Sequence, residues 1–296
     1  MTIRPRRSVL YMPGSNARAI EKARTLPVDC VILDLEDSVA PDAKEAAREA
    51  VCQAVRAGGF GAREIVIRTN ALDTPWGHDD LLAAAGAAPD AVLISKVSDP
   101  DVLATAALAL SAERAPDATR LWAMIETPLA ILRVEAIAAA ARLETSRLAC
   151  FVLGTNDLAK ETRARLVPGR WTMLPWLAGA VAAARAHGLD VLDGVYNDLS
   201  DADGFRGECE QGRDLGFDGK TLIHPNQVAS ANEVFAPTPA EVETARKILA
   251  AFARPENADR GVISLDGRMV ERLHAEMAAR TVALADAIEA GNSPIS

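Results

Sequence analysis

Several short apolar runs in this chain carry, at or near their ends, a side chain able to do chemistry. CVILDLED ends in Asp34, Glu36 and Asp37, and EIVIRTN carries Arg68. AVLISKV carries Lys96, LWAMIETP ends at Glu126, LACFVLGTNDLAK reaches Asp157, and VLDGVYND carries Asp193. Carboxylates are hard oxygen donors, and Mg²⁺ takes one or two of them and fills the rest of its shell with water and substrate oxygens. Glu126 and Asp157 stand at corresponding places after successive runs, which makes them the candidate ligands of Mg²⁺ or Mn²⁺. The competing reading is that each caps the helix that follows it.

Arg68 falls late in its run, where alternation points it along the interior of a sheet that closes on itself. A buried guanidinium needs an anion, either a neighbouring carboxylate or a substrate carboxylate. Lys96 is a similar but less specific candidate. Asp34 and Glu36 share one face of their strand, with Asp37 opening the loop. Three acids this close require a cation or donors beside them, although one that caps a helix and another that is solvated would also fit. YMPGSNARAIEKA reads as strand, turn and helix, with Arg18 and Lys22 four apart on one helix face. A phosphorylated ligand over that face is one reading, and a solvated basic face is the other. His224 is weaker still and could be a satisfied core histidine.

These groups need a scaffold that brings them together. Each run is rich in Val, Ile and Leu and is followed by a helix-like stretch. Strands are expected near Ser8–Met12, Cys30–Leu35, Ile65, Val92, Trp122, Phe151, Val191 and Thr221. Asp42 is the expected N-cap of the helix after the second of them. Eight such units close a (β/α)8 TIM barrel, whose active site lies on the rim where the parallel strands end. An open doubly wound sheet is the alternative, but no GxGxxG follows the first strand. After His224-Pro225 the pattern changes. Helical stretches cover Gln227 to Ala253, RGVISLDGRM follows, and a last amphipathic helix runs from about Val270 to Ala290. The expected division is a catalytic barrel at 1–236 and a C-terminal helical extension at 237–296. The closing GNSPIS is expected to fray.

Composition limits the possible partners. The chain has 296 residues with a formal net charge of −9, against the basic field that nucleic-acid binding requires. Hydrophobic residues make up 49% but aromatics only 4%, so the core must be packed with aliphatic side chains. No apolar run reaches the ~18 residues of a membrane span. MTIRPRRS is basic with no apolar run behind it, so a secretion signal is not expected. Cys30, Cys52, Cys150 and Cys209 are far apart and show no CxxC, as in a reduced cytoplasmic protein.

RSVLYMPGSN, VILDLEDSVAP, MIETP, LGTNDLAKE, DGVYND and GFDGKTLIHPNQ, in this order, resemble the citrate lyase β-subunit-like CoA ester lyases of the HpcH/HpaI aldolase superfamily. That group includes malyl-CoA, β-methylmalyl-CoA and citramalyl-CoA lyases and a malyl-CoA thioesterase. The resemblance runs from about Arg7 to Ala279. It implies a barrel assembled as a homotrimer or homohexamer, with Mg²⁺ on Glu126 and Asp157. It implies that Arg68 binds and polarises substrate and that the acids at Asp34, Glu36 and Asp37 order metal-bound water. Arg18 and Lys22 would lie near the CoA phosphates. It also draws attention to Asp266, in SLDGRMVE, as an acid or base that reaches a neighbouring subunit's site. The reaction it implies is retro-Claisen cleavage of a 3-hydroxyacyl-CoA to an acyl-CoA and a 2-oxo acid. Thioester hydrolysis on the same scaffold is the alternative, and a citrate lyase β-like subunit working with a partner is a second.

Overall fold

A computed structural model describes residues 3–143, 145–257 and 259–292. It comprises two compact units, one spanning Arg6–Glu233 and one made of the segment before Arg6 together with the chain from Val234 onward. In the first, eight strands form a closed barrel in chain order, each parallel to its neighbours, with β1 also pairing β8. They are β1 (Ser8–Pro13), β2 (Cys30–Asp34), β3 (Glu64–Thr69), β4 (Ala91–Ile94), β5 (Arg120–Ile125), β6 (Leu148–Leu153), β7 (Asp190–Asp193) and β8 (Gly219–Leu222). The main crossover helices are α1 (Ala17–Ala23), α2 (Lys44–Ala57), α3 (Gly77–Ala87), α4 (Pro100–Ala112), α5 (Pro128–Leu132) and α6 (Val134–Ala139). They continue with α7 (Thr155–Thr162), α8 (Leu174–Ala186), α9 (Ala202–Leu215) and α10 (Val228–Val234).

Strand alternation builds the interior. Val9, Cys30, Ile32, Val66, Leu93, Trp122, Met124, Cys150, Val152 and Leu192 pack into one buried cluster. Positions on the same parity carry charge at both ends of the barrel. At the amino-terminal end, Glu64 continues the row of Val66, and Arg6 fills the floor beside it. Arg6 donates to both Glu64 oxygens at 2.7 Å and also pairs with Asp190, and its guanidinium carbon lies 4.8 Å from the Trp122 ring centre. At the carboxyl-terminal end the rows of Ile32, Val66 and Met124 are continued by Asp34, Arg68 and Glu126. The apolar middle therefore separates a structural ion pair from the rim charges.

The second unit is not purely helical. Beyond the break come α11 (Pro239–Phe252), the hairpin β9 (Val262–Leu265) and β10 (Arg268–Glu271), and α12 (Arg272–Asn292). Thr238 and Glu241 close a capping box at the start of α11. Ala251, Phe252, Ile263 and Val270 form a small core. The expected glycine-marked segment is thus a tight hairpin. Asp266 and Gly267 both have positive φ, 49° and 76°, the conformation for which an Asp-Gly turn is selected.

Two local expectations are corrected. Asp42 does not cap α2. Pro41 starts a 3₁₀ turn over Pro41–Ala43, so the helical path begins earlier and α2 has no side-chain cap. In GNSPIS, Gly291 and Asn292 end α12, while residues 293–296 lie outside the described residues. All four cysteines are buried and none forms a disulfide, with Cys30 in β2 and Cys150 in β6. Among the described residues no helix is long and apolar enough to cross a membrane.

The floor pair generates a stability prediction. Arg6 and Glu64 side chains are 9% and 2% exposed. Arg6→Met should lower unfolding free energy by about 3–5 kcal/mol, the range for breaking a buried ion pair from one side. Urea denaturation measures this, and a loss below about 1 kcal/mol would show that the pair is not a structural support of the barrel.

Candidate active site

Adjacent registers create the central contact of the rim. Asp34 of β2 stands opposite Arg68 of β3. The guanidinium grips the carboxylate at both ends, with Nε to Oδ1 at 2.6 Å and Nη2 to Oδ2 at 2.8 Å. Asp34 also accepts from the amides of Glu36 and Ser38 and from the Ser38 hydroxyl. Burial pushes the Asp34 carboxyl up, but the Arg68 charge and these donors hold it below the usual carboxylate range. Asp34 therefore stays ionised and orients Arg68. The Arg68 carbon lies 4.9 Å from the Tyr11 ring centre, and its remaining nitrogen, Nη1, faces Glu36 at 2.7 Å and Asp37 at 3.3 Å.

A second group forms around Lys96. Its ammonium is 2.7 Å from Asp157, 3.5 Å from Glu126 and 3.8 Å from Glu36. The Lys96 amide donates to Glu126 Oε1 at 2.8 Å. Glu126 Oε2 is buried and has no hydrogen-bond partner, whereas Glu36 Oε2 is held by its ion-pair contact with Arg68 Nη1. Burial raises the Glu126 carboxyl above its ordinary range, with Lys96 and Arg68 opposing. Burial also raises Glu36, to about 7, with Arg68 opposing and Glu126 adding. Gly154 makes this packing possible, because a Cβ there would stand 2.4 Å from the Glu126 Cβ and 2.6 Å from its Oε2.

The helix-cap readings of the two candidate ligands do not hold. Thr127 caps α5, accepting from the Ala130 amide, with Pro128 in the first turn, so Glu126 is left for the rim. Asp157 lies inside the first turn of α7, which has no side-chain cap. Five carboxylates, from Asp34, Glu36, Asp37, Glu126 and Asp157, meet two cations, Arg68 and Lys96. The orphaned Glu126 Oε2 and an excess of acid are what a hard divalent ion requires. Among the described residues no group of three such side chains is assembled around one point, but Glu126 and Asp157, both beside the Lys96 ammonium, fit an ion that takes two carboxylates and completes its shell with water and substrate oxygens.

A cavity of about 290 Å³ opens on this group, lined among others by Tyr11, Asp34, Arg68, Glu126, Asp157 and Thr221. A larger cavity of about 630 Å³ lies beside it, toward α9. The charged walls of the larger one are already committed, Arg170 and Glu208 to a buried network with Asp193 and Lys220, Asp198 to Ser200, and Asp201 to Tyr196 and the Gly204 amide. The smaller cavity is therefore the candidate site.

Not every expected group reaches it. Asp193 does not. Leu192 takes the interior parity of β7, so Asp193 faces the helix layer, where Arg170 and Lys220 bind it at 2.7 and 2.9 Å. His224 is not a core histidine. It is exposed and caps the turn after β8, its Nδ1 accepting from the Asn226 amide at 3.2 Å. Arg18 and Lys22 are exposed on α1 and do not line the cavity. Asp266 is exposed at the hairpin turn of the second unit.

Sequence reasoning passed over three supporting residues. Tyr11 follows Val9 at period two, a signal that places it on the interior row. Ser38 lies just past the acidic run and binds Asp34. Lys44 is buried, and its ammonium donates to Leu35 O, Glu36 O and Asn70 Oδ1 at 2.9, 2.7 and 2.7 Å. Asn70 is in turn held by Asp80, and Asp80 by Arg48. This chain clamps the turn that carries Glu36 and Asp37. Its one sequence signal is Lys44 on the apolar face of α2 with Ala47 and Val51.

Comparison with known proteins places the site in context. Residues 7–225 match the HpcH/HpaI aldolase/citrate lyase family. The chain is 49% identical over 287 residues to a (3S)-malyl-CoA thioesterase of Cereibacter sphaeroides, covering 97% of this chain and 96% of that one. It is 38% identical over 312 residues to an L-malyl-CoA/beta-methylmalyl-CoA lyase of the same species, covering 97% and 96%. Among solved structures it is similar to the protein CitE of Mycobacterium tuberculosis in complex with magnesium, acetoacetate and coenzyme A. There the identity is 27% and the TM-score 0.72, over 95% of this chain and 99% of that one. With a closed eight-stranded parallel barrel, its charged rim and these likenesses, the chain belongs to the HpcH/HpaI aldolase/citrate lyase family of enzymes.

Proposed function

We propose that this protein is a magnesium-dependent hydrolase of a malyl-CoA-type thioester. The observation that carries this reading is the 49% identity to a (3S)-malyl-CoA thioesterase across nearly the whole of both chains. Retro-Claisen cleavage of the same substrate class is the second reading, supported by the 38% identity to a malyl-CoA lyase over 97% of this chain. The sequence motifs alone favoured the lyase, and the difference in identity reverses that order. Both reactions use an acyl-CoA that carries a carboxylate and a hydroxyl.

In this reading Glu126 and Asp157 hold Mg²⁺, as the magnesium in the CitE complex supports. When bound, the ion supplies Lewis acidity to substrate oxygens. Arg68, which lines the cavity, exchanges the pairs of its Nη1 with Glu36 and Asp37 for a substrate oxygen that gains negative charge, while Asp34 keeps the guanidinium from turning. Glu36, titrating near neutrality, is matched to move one proton at its Oε2. In hydrolysis that proton comes from the water that attacks the thioester carbonyl, and the departing CoA thiolate is protonated as the C–S bond breaks. In cleavage it comes from the substrate hydroxyl, the C–C bond breaks, and the acyl-CoA enolate takes a proton back. Arg18 and Lys22, exposed on α1, are the proposed contacts for CoA phosphates. Asp266 is the proposed second acid or base, delivered to the site of another copy in a homotrimer or homohexamer.

Three measurements test this reading. Glu126→Gln and Asp157→Asn should each reduce metal-dependent turnover at least ~100-fold, with far-ultraviolet circular dichroism unchanged. Full wild-type activity in EDTA would refute the metal assignment. For the reaction, free thiol and 2-oxo acid are measured together on purified protein given malyl-CoA. Hydrolysis yields thiol and malate with no phenylhydrazine-reactive product. A 2-oxo acid with the acyl-CoA thioester intact would establish the lyase instead, and neither product would point to a subunit that needs a partner. For Asp266, inactive Asp266→Ala and Glu126→Ala proteins are mixed and reassembled. Partial recovery of activity is expected, and none from verified mixed oligomers would rule out a shared site.

A further inference from the structure

We propose that the Lys96 ammonium is the resident counter-cation of the carboxylate site, displaced into the rim cavity when a divalent ion binds. This rests on the metal reading above and concerns how the site behaves before and after loading. The ammonium stands among Glu36, Glu126 and Asp157, between 2.7 and 3.8 Å from each. Those are the carboxylates whose negative charge would otherwise accumulate without a metal. Lys96 Nζ makes one close contact, to Asp157, and reaches Glu126 and Glu36 only at 3.5 and 3.8 Å, so most of its hold on the group is charge shared among three acids. Such an attachment is easily exchanged for a stronger cation.

The backbone favours the same behaviour. Lys96 has φ 55°, a left-handed conformation uncommon outside glycine and concentrated at functional sites. That conformation turns its amide onto Glu126 Oε1. The main chain thus remains a fixed donor to the metal ligand while the side chain is free to move. The stem is flexible and the side chain 27% exposed, so it has a path outward. A divalent ion shared by Glu126 and Asp157 would stand at oxygen distances of about 2.1 Å, too close to an ammonium already in contact with both. Repulsion between them would exceed what the ammonium retains from Asp157 alone.

The role explains how five acids tolerate one another in the metal-free protein. It also sets the metal affinity, because each ion that binds must first break the Lys96 pairs. The test has two independent arms, neither reading turnover. Calorimetric titration of Mg²⁺ into the metal-free protein should show Lys96→Gln binding about tenfold tighter than wild type, with Lys96→Arg near wild type. In EDTA the Gln variant should melt lower than wild type and recover on addition of Mg²⁺. Amine acylation read by mass spectrometry on the wild-type protein should show Lys96 slow to react in EDTA and faster in Mg²⁺. If Lys96→Gln does not fold, the acylation arm decides alone. Equal Mg²⁺ affinity in wild type and Lys96→Gln, or Lys96 no more reactive with Mg²⁺, would overturn the proposal and leave the metal site standing. No Mg²⁺ binding to wild type would overturn the metal site and this inference together.

Discussion

A single bidentate ion pair, Asp34 with Arg68, organises the rim. It exists because β2 and β3 are hydrogen-bonded in a register that sets these two residues opposite each other. A guanidinium buried at the end of a barrel needs an anion, and Asp34 is fixed in place by backbone and serine donors. With Nε and Nη2 committed, only Nη1 remains to face the cavity. Glu36 and Asp37 approach that nitrogen, and the turn carrying them is held from behind by Lys44. Removing Asp34 would leave a buried guanidinium with a different set of partners and the acidic turn without its template. The other rim contacts are arranged around a charge whose direction has been set.

The barrel interior applies one rule along its length. Every second residue points inward, and what changes is chemistry with height. Arg6, Glu64 and Trp122 form a closed floor, aliphatic side chains fill the middle, and Asp34, Arg68 and Glu126 stand at the mouth. Separation by an apolar layer matters electrostatically, since floor and rim charges do not compete for each other's partners. It also lets the two ends serve different purposes, stability at one and reactivity at the other, as is general for this architecture.

Hydrolysis of a thioester and cleavage of a carbon–carbon bond ask similar things of this rim. Each needs one proton taken from an oxygen and one developing negative charge met by a fixed cation. In the proposed reading the same residues meet both demands, consistent with a family whose members include a thioesterase and a lyase. With Glu36 as the proposed base, the choice between them would rest on which substrate atom lies beside it, and so on the walls around the charged group more than on the group itself.

Local periodicity is what the sequence alone determined. Runs of Val, Ile and Leu with helices between them specify eight βα units, and period two brings Arg68 and Glu126 to the interior without any knowledge of the fold. Whether Glu126 caps its helix stayed open on that reasoning, and the structure closed it by giving the cap to Thr127. Asp193 shows the limit. It looks like the other strand-end acids, yet it faces the helix layer, because the parity of a four-residue strand is decided by how Leu192 packs into the core. Lys44, remote in sequence from Arg68, supports the acidic turn only after α2 has folded back over it. Lys96 meets Asp157 across 61 positions, and no spacing rule spans that distance. Which face a residue takes is a short-range property of the backbone. Which charge it finds there depends on interstrand register and loop closure, and those exist only in the folded chain.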